Sequence, residues 1–351
     1  MKYEVVKVNR KASLDVTRFV AVIAVVLIHT SASYMNLYQP NSFAGIFTNI
    51  FNTISRIGVP LFVMISGCLM LNERKEITFK EIFNKYIRNI IILYLVWSLL
   101  YSLGYQIILP AFNGEEINFR GFLFGIFRAH YHLWYLPMIA GLYLITPILR
   151  CFVKKENSKT VLYFIVLSFI FNFFSPLIEF LAGYSNLFQY INQFIDGLYL
   201  DFFCGYVGYY LIGWYVINIG IKKGYRIVLY IAGFASLIFT IIMVQIFTSQ
   251  AWLFQTPLNA FILLISVMIF DLINNYYKGN DKSNNVFKKL SNLAFGVYVV
   301  HVAILSIFDF YVNPNLLPIW IILKWIIVCL ISFGVTFVAH KTPLLKKIFK
   351  G

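Results

Sequence analysis

The sequence predicts an all-α integral membrane protein with about ten transmembrane helices and both termini in the cytoplasm. Three observations lead there. Of the 351 residues, 60% are hydrophobic and only 12% are charged, about half the charged share of a soluble domain. The apolar residues gather in runs long enough to cross a bilayer as helices. Lysine and arginine are concentrated in every second connection between those runs.

The first run, 14–34, reads L-D-V-T-R-F-V-A-V-I-A-V-V-L-I-H-T-S-A-S-Y. It is too long for a cleavable signal peptide, contains Asp15 and Arg18, and is followed by no small-residue cleavage site. Residues 1–13 read as a short cytoplasmic tail. The next runs cover 47–71, 88–109, 133–153, 160–181, 198–219, 226–247, 254–274, 290–310 and 318–340. The N-terminal tail carries Lys2, Lys7, Arg10 and Lys11. The even-numbered connections and the C-terminal tail are basic too: Arg74, Lys75, Lys80, Lys85 and Arg88; Arg150, Lys154, Lys155 and Lys159; Lys222, Lys223 and Arg226; Lys278, Lys282, Lys288 and Lys289; Lys341, Lys346, Lys347 and Lys350. The odd-numbered connections carry only Arg120 and Arg128. The net charge of +15 is therefore a topology signal, and no nucleic-acid partner is expected. No linker, fixed-period repeat or separate soluble domain is visible, so 1–351 reads as one multi-pass domain. Cys68, Cys151, Cys204 and Cys329 fall in or beside separate runs without a C-x-x-C. They read as packing residues, and no metal site is expected.

Charges inside the spans are the informative residues, because they cost free energy in hydrocarbon and are usually kept for function. Asp15 and Arg18 share a helix face by their spacing. Arg18 and His29, eleven residues apart, share that face about 16 Å along the axis. The second span contains S-R-I-G-V-P-L-F-V-M-I-S-G, residues 55–67. It runs inward, which sets Arg56 roughly 13 Å below the outer edge; His29 stands about 22 Å above the inner end, at comparable depth in a core of roughly 30 Å. Gly58 and Pro60 should kink or loosen this helix and free backbone groups near that level. A snorkelling Arg56 is the plainer alternative.

Lys85 and Arg88, three apart and so on one helix face, open the third span. With Arg18 they form a basic mouth, or they are the ordinary basic flank. The external stretch H-Y-H-L-W-Y-L-P, 130–137, carries His132 beside Trp134, a belt residue. The ninth span carries Tyr298 and, near mid-depth, His301, which lines a cavity or bonds a neighbouring helix. Glu179, Asp196, Asp201 and Asp309 lie near outer ends, where solvation explains most of them. Lys324 and Asp271 pair with each other or snorkel separately.

The chain resembles integral membrane acyltransferases of the acyltransferase-3 family. The likeness rests on D-x-x-R-x10-H at Asp15, Arg18 and His29, the 55–67 stretch, H-L-W-Y-L-P at 132–137, and the late span with Tyr298 and His301. It implies transfer of an acyl group, commonly acetyl, from cytoplasmic acetyl-CoA to a hydroxyl of an exported or lipid-linked carbohydrate, in a bacterial cell membrane. The family often shows R-x-x-R where this chain has Lys85-x-x-Arg88. Lysine keeps the charge but loses the bidentate fork, so the phosphate grip should differ. Some members carry a fused extracytoplasmic domain; none is expected here. On this chemistry Arg18, Lys85 and Arg88 would hold the donor's phosphates, with Asp15 orienting Arg18. His29 would act as base or acyl carrier, and Arg56 would stabilise the oxyanion. His132, Trp134, Tyr298 and His301 would face the acceptor. A polyprenyl-linked saccharide transporter or flippase is the competing expectation, but it does not explain why an imidazole shares a face with Arg18. The acceptor and the oligomeric state are not legible.

Overall fold

A computed structural model of the chain describes residues 11–35, 37–200, 205–311 and 318–350. Asp201, Cys204, Lys2, Lys7 and Arg10 lie outside the described residues. Among the described residues the elements are all helical. In order they are α1 (Ala12–Met35), α2 (Phe43–Ser55), α3 (Gly58–Met70), α4 (Phe79–Glu81), α5 (Arg88–Leu103), α6 (Leu109–Asn113), α7 (Phe119–Arg128), α8 (Tyr135–Phe152) and α9 (Ser158–Ser168). There follow α10 (Ser175–Ala182), α11 (Asn186–Asp196), α12 (Val207–Asn218), α13 (Lys223–Ile246), α14 (Ala251–Gln255), α15 (Ala260–Tyr276), α16 (Asp281–Tyr311), α17 (Ile319–Ala339) and α18 (Pro343–Phe349). Helix is the form that satisfies every backbone N–H and C=O within one segment, as hydrocarbon requires. Wide π-turns at Ile82–Ile87, Gly104–Ile108 and Phe169–Phe173 interrupt the α-geometry.

Among the described residues, 8 helical stretches are long and apolar enough to cross a membrane, and up to 9 if a bent pair counts as one. Two of the predicted spans take other forms. The expected 254–274 span is that pair, Thr248–Gln255 and Ala260–Tyr276, bent by 46°. Pro257 holds Thr256 extended, at ψ 137, as proline does to the residue before it. Asn259 then caps α15, accepting from the Phe261 amide at 2.7 Å. The expected 198–219 span contains α12, which has 12 residues and is about 18 Å long. Most of α12 is buried among other helices; its hydrophobicity reflects protein packing as well as lipid.

The helices form two compact units. The first draws on α1–α3 and α9–α15, the second on α4–α7 and α18; α8, α16 and α17 contribute to both. In the first unit α3 and α12 cross at their glycines. A Cβ on Gly67 would collide with the Tyr210 carbonyl, and one on Gly213 with the Met64 carbonyl. Cys68 donates to the Gly213 carbonyl at 2.8 Å. Small residues allow this approach where lipid supplies no hydrophobic drive between helices. Arg150 donates to the Met70 and Asn72 carbonyls, at 2.8 and 3.0 Å, and to that of Lys75. It closes the α3 C-terminus, where carbonyls lack partners and the helix dipole favours a cation. In the second unit Trp97 of α5 donates to the Ile348 carbonyl at 2.9 Å, and Ser102 to the Phe122 carbonyl of α7 at 2.7 Å.

Candidate functional site

Asp15 is buried, with 4% of its surface exposed. Its Oδ1 accepts from Ser291 of α16 at 2.7 Å. The same hydroxyl accepts from Arg18 Nη1 at 3.3 Å. Asp15 therefore reaches Arg18 through Ser291, a link that the three-residue spacing alone did not disclose. Thr17, beside them, accepts from Asn274 at 3.3 Å and donates to the Ser13 carbonyl. These bonds fix the first turns of α1 against α15 and α16 within the first unit.

Farther along α1 the second predicted cation appears. Arg56 sits between α2 and α3, where the helix breaks and its amide turns back to the Thr53 carbonyl. The helix is thus loosened at residues 56–57, within a stretch, Phe43–Met70, that still counts as one span. Pro60 falls in the first turn of α3, where a missing N–H is tolerated. Arg56 Nε and Nη2 both donate to Asn52 Oδ1, at 3.1 and 2.7 Å. Nη2 also donates to Gln255 Oε1 at 3.0 Å. These partners are neutral amides, and among the described residues no carboxylate pairs with Arg56. A guanidinium has five N–H donors, and those on Nη1 meet no protein acceptor among the described residues. Gln255 is buried, and because its oxygen faces Arg56, its Nε2 is left without a partner. Arg56 Nη1 and Gln255 Nε2 therefore both have hydrogen-bonding capacity that the described residues do not use.

The level of this cluster on α1 follows from two contacts. Asn52 Nδ2 donates to Ser31 Oγ at 3.0 Å. A Cβ on Gly58 would come within 2.8 Å of Val25 Cγ2. Arg56, between Asn52 and Gly58 in sequence, thus lies at the height of residues 25–31, the stretch that contains half-buried His29. One turn farther, on the His29 face by helical spacing, Ser33 accepts from Lys324 at 3.4 Å. Lys324 is 2% exposed and its Nζ lies 5.0 Å from the Tyr34 ring centre. Asp271 pairs elsewhere, accepting from Arg226 at 2.8 Å and from Tyr230 at 2.7 Å. The two charges accordingly have different partners.

The second unit gathers His132, Tyr298 and His301. Tyr298 donates to the His132 carbonyl at 2.7 Å, and the His132 and His301 rings lie 5.6 Å apart. Both imidazoles are buried. His130, which the sequence did not single out, meets His132 with their Nδ1 atoms 2.9 Å apart and has its ring against those of Tyr101 and Tyr105, at 4.7 and 4.9 Å. Trp134 is 42% exposed, which suits a belt residue. Lys85 and Arg88 are exposed. Lys85 lies in the π-turn and Arg88 opens α5, so an α-helical face no longer relates them. Glu179, Asp196 and Asp309 are exposed, in keeping with solvated ends. Among the described residues no group of three or more histidine, cysteine or acidic side chains is arranged to hold a metal ion.

Ser291, Asn52, Gln255 and Lys324 are the residues that sequence reasoning left without a role. Their one advance signal is polarity inside apolar runs, which amides and hydroxyls that merely join helices share. A family model described as an acyltransferase domain, that of the acyltransferase-3 family, matches residues 11–341. No curated protein and no solved structure matches the chain.

Proposed function

We propose, from the premise that the chain belongs to the acyltransferase-3 family, that it moves an acetyl group from acetyl-CoA to a hydroxyl of an exported or lipid-linked carbohydrate at the bacterial cell membrane. The observation that carries this reading is Arg56: a cation held by two neutral amides, with donors to spare, at the height of His29 on α1. A carboxylate partner would cancel the field of such a cation; Asn52 and Gln255 orient it and leave its charge available. Charge that develops on an oxygen in the transition state is stabilised most by fixed donors in a dry site.

The chemistry then runs as follows. His29 takes the proton of the acceptor hydroxyl, and the hydroxyl oxygen bonds to the thioester carbonyl carbon. The carbonyl oxygen becomes an oxyanion that Arg56 Nη1 and Gln255 Nε2 receive. The carbon–sulfur bond breaks, CoA thiolate leaves, and His29 returns the proton to it. In the covalent variant His29 carries the acetyl group between the two partners. Arg18, braced by Ser291 and Asp15, is proposed to bind donor phosphate; Lys85 and Arg88, in the second unit, are proposed separately as phosphate-binding residues. His132, Trp134, Tyr298 and His301 serve the acceptor.

Purified protein supplied with acetyl-CoA and membrane-derived acceptor tests this. Loss of the thioester with label entering the carbohydrate is expected. Saccharide movement with no thioester loss would replace the reading with a transporter.

A further inference from the structure

We infer that the Arg56–Gln255 site of the first unit binds one small monovalent anion, a halide or a short carboxylate, whenever no acyl donor occupies it. The binding stands on charge and geometry alone. Competition of the anion with the thioester rests on the acyl-transfer reading.

The charge sets the class of ligand. Arg56 lies at the height of residues 25–31, within the α1 span. An ionised side chain at such depth is costly unless an opposite charge or water meets it. Asn52 and Gln255 give Arg56 hydrogen bonds but no negative charge. A counter-ion from solution supplies what these amides leave out. One cation is balanced by one negative charge, which a halide or a carboxylate carries and a phosphate dianion exceeds. Arg56 is half-buried, and its open side admits a small ion.

The donors set the size. The N–H groups of Arg56 Nη1 and of Gln255 Nε2 are taken up by no described residue. The nitrogen and oxygen of a carboxamide are about 2.2 Å apart by bond geometry. Gln255 Oε1 is 3.0 Å from Arg56 Nη2, so Nε2 lies within about 5 Å of Nη2. One chloride or one carboxylate, at about 3 Å from each donor, spans a gap of that order. Both side chains are also held in place. Asn52 fixes the guanidinium and is itself tied to Ser31 at 3.0 Å. Gln255 ends α14, and the chain is pinned on either side of it. Tyr209 donates to the Pro257 carbonyl at 2.5 Å, and Asn259 Nδ2 to the Leu253 carbonyl at 2.8 Å. A preformed site binds with little cost of reorganisation. During transfer the same seat receives the carbonyl oxygen as it gains charge. The resting anion must leave first, so it should inhibit in competition with acetyl-CoA.

Thermal unfolding of the purified full-length protein in detergent tests this, in sodium gluconate, chloride or acetate at one ionic strength. Gluconate, whose bulk keeps it out of the seat, is the reference. With the ion at about thirty times its dissociation constant, the wild-type midpoint should rise by about 3 °C over gluconate. A rise in acetate alone identifies the ligand as a carboxylate; a rise in chloride shows that a halide serves. In Gln255→Glu a carboxylate of the protein faces Arg56 and takes the place of the ion, so the rise should vanish. Arg56→Gln removes the charge and should lose it too. No rise in wild type with either ion, or an equal rise in Gln255→Glu, would overturn the proposal. The readout uses no acyl donor, so failure of acetyl-CoA turnover counts against the acyl-transfer reading alone, and an unmoved midpoint against this site.

Discussion

Asn52 is the most direct lever on Arg56. Its Oδ1 accepts both the Nε and the Nη2 bonds of the guanidinium. Hydrogen bonds to a charged group contribute about 1.5–3 kcal/mol each. The two share one oxygen, so they are not additive, and about 3 kcal/mol is a fair total. If Arg56 then fails to meet the oxyanion, turnover of acetyl-CoA by Asn52→Leu should fall by roughly two orders of magnitude, at about 1.4 kcal/mol per tenfold. The Michaelis constant for acetyl-CoA should hardly move. Free-thiol release by purified protein, compared at matched yield and monodispersity, is the assay. Asn52→Asp separates positioning from packing. It keeps both bonds to Arg56 but sets a carboxylate against the cation and offsets its field, so it should also be slow. An Asn52→Asp enzyme at wild-type rate beside an inactive Asn52→Leu would reduce Asn52 to a structural bond. Asn52→Leu within about threefold of wild type would refute the role of Arg56 orientation altogether.

Three further outcomes follow from particular contacts. The Lys85→Ala, Arg88→Ala double variant should raise the Michaelis constant for acetyl-CoA about tenfold with turnover nearly unchanged, because phosphate contacts act in ground and transition states alike; unchanged affinity in steady-state kinetics returns both residues to the positive-inside flank. Asp271→Asn removes the buried partner of Arg226 and Tyr230 and should cost about 2 kcal/mol, less than a fully buried pair because Arg226 is 19% exposed; a thermal shift in detergent reads it, and an unmoved midpoint counts against the pair. Gly213→Val forces a side chain into the Met64 carbonyl and should cost at least the ~1–3 kcal/mol of an overpacked contact; the yield of monodisperse protein measures it, and wild-type yield would mean that α3 and α12 do not cross so closely.

Much of the helical fold was legible because lipid demands long apolar helices. α12 was less so. Tyr209, Tyr210, Leu211 and Trp214 are fully buried in the first unit, and hydropathy cannot tell a helix hidden in protein from one facing lipid. The α14–α15 bend had a signal in Thr256-Pro257 that a span count overlooks. In the candidate site, spacing gave the relation of Arg18 to His29 because both ride one helix. It also set Arg56 at His29's depth, since helix rise works in either direction from a membrane edge. Ser291 and Gln255 were out of reach: each meets its arginine from about 200 residues away or more, across the fold. The Lys85 and Arg88 relation failed for a local reason, since a π-turn changes the angle per residue and nothing in I-F-N-K-Y-I announces one.

The most direct test of the chemistry is His29→Ala in purified, monodisperse protein, following both thioester loss from labelled acetyl-CoA and label on the carbohydrate. Acyl transfer through His29 predicts that both signals vanish, and that His29→Gln, which cannot accept the proton, is nearly as inactive. His132→Ala and His301→Ala should retain measurable thioester loss. Wild-type transfer by a well-folded His29→Ala protein would contradict the mechanism.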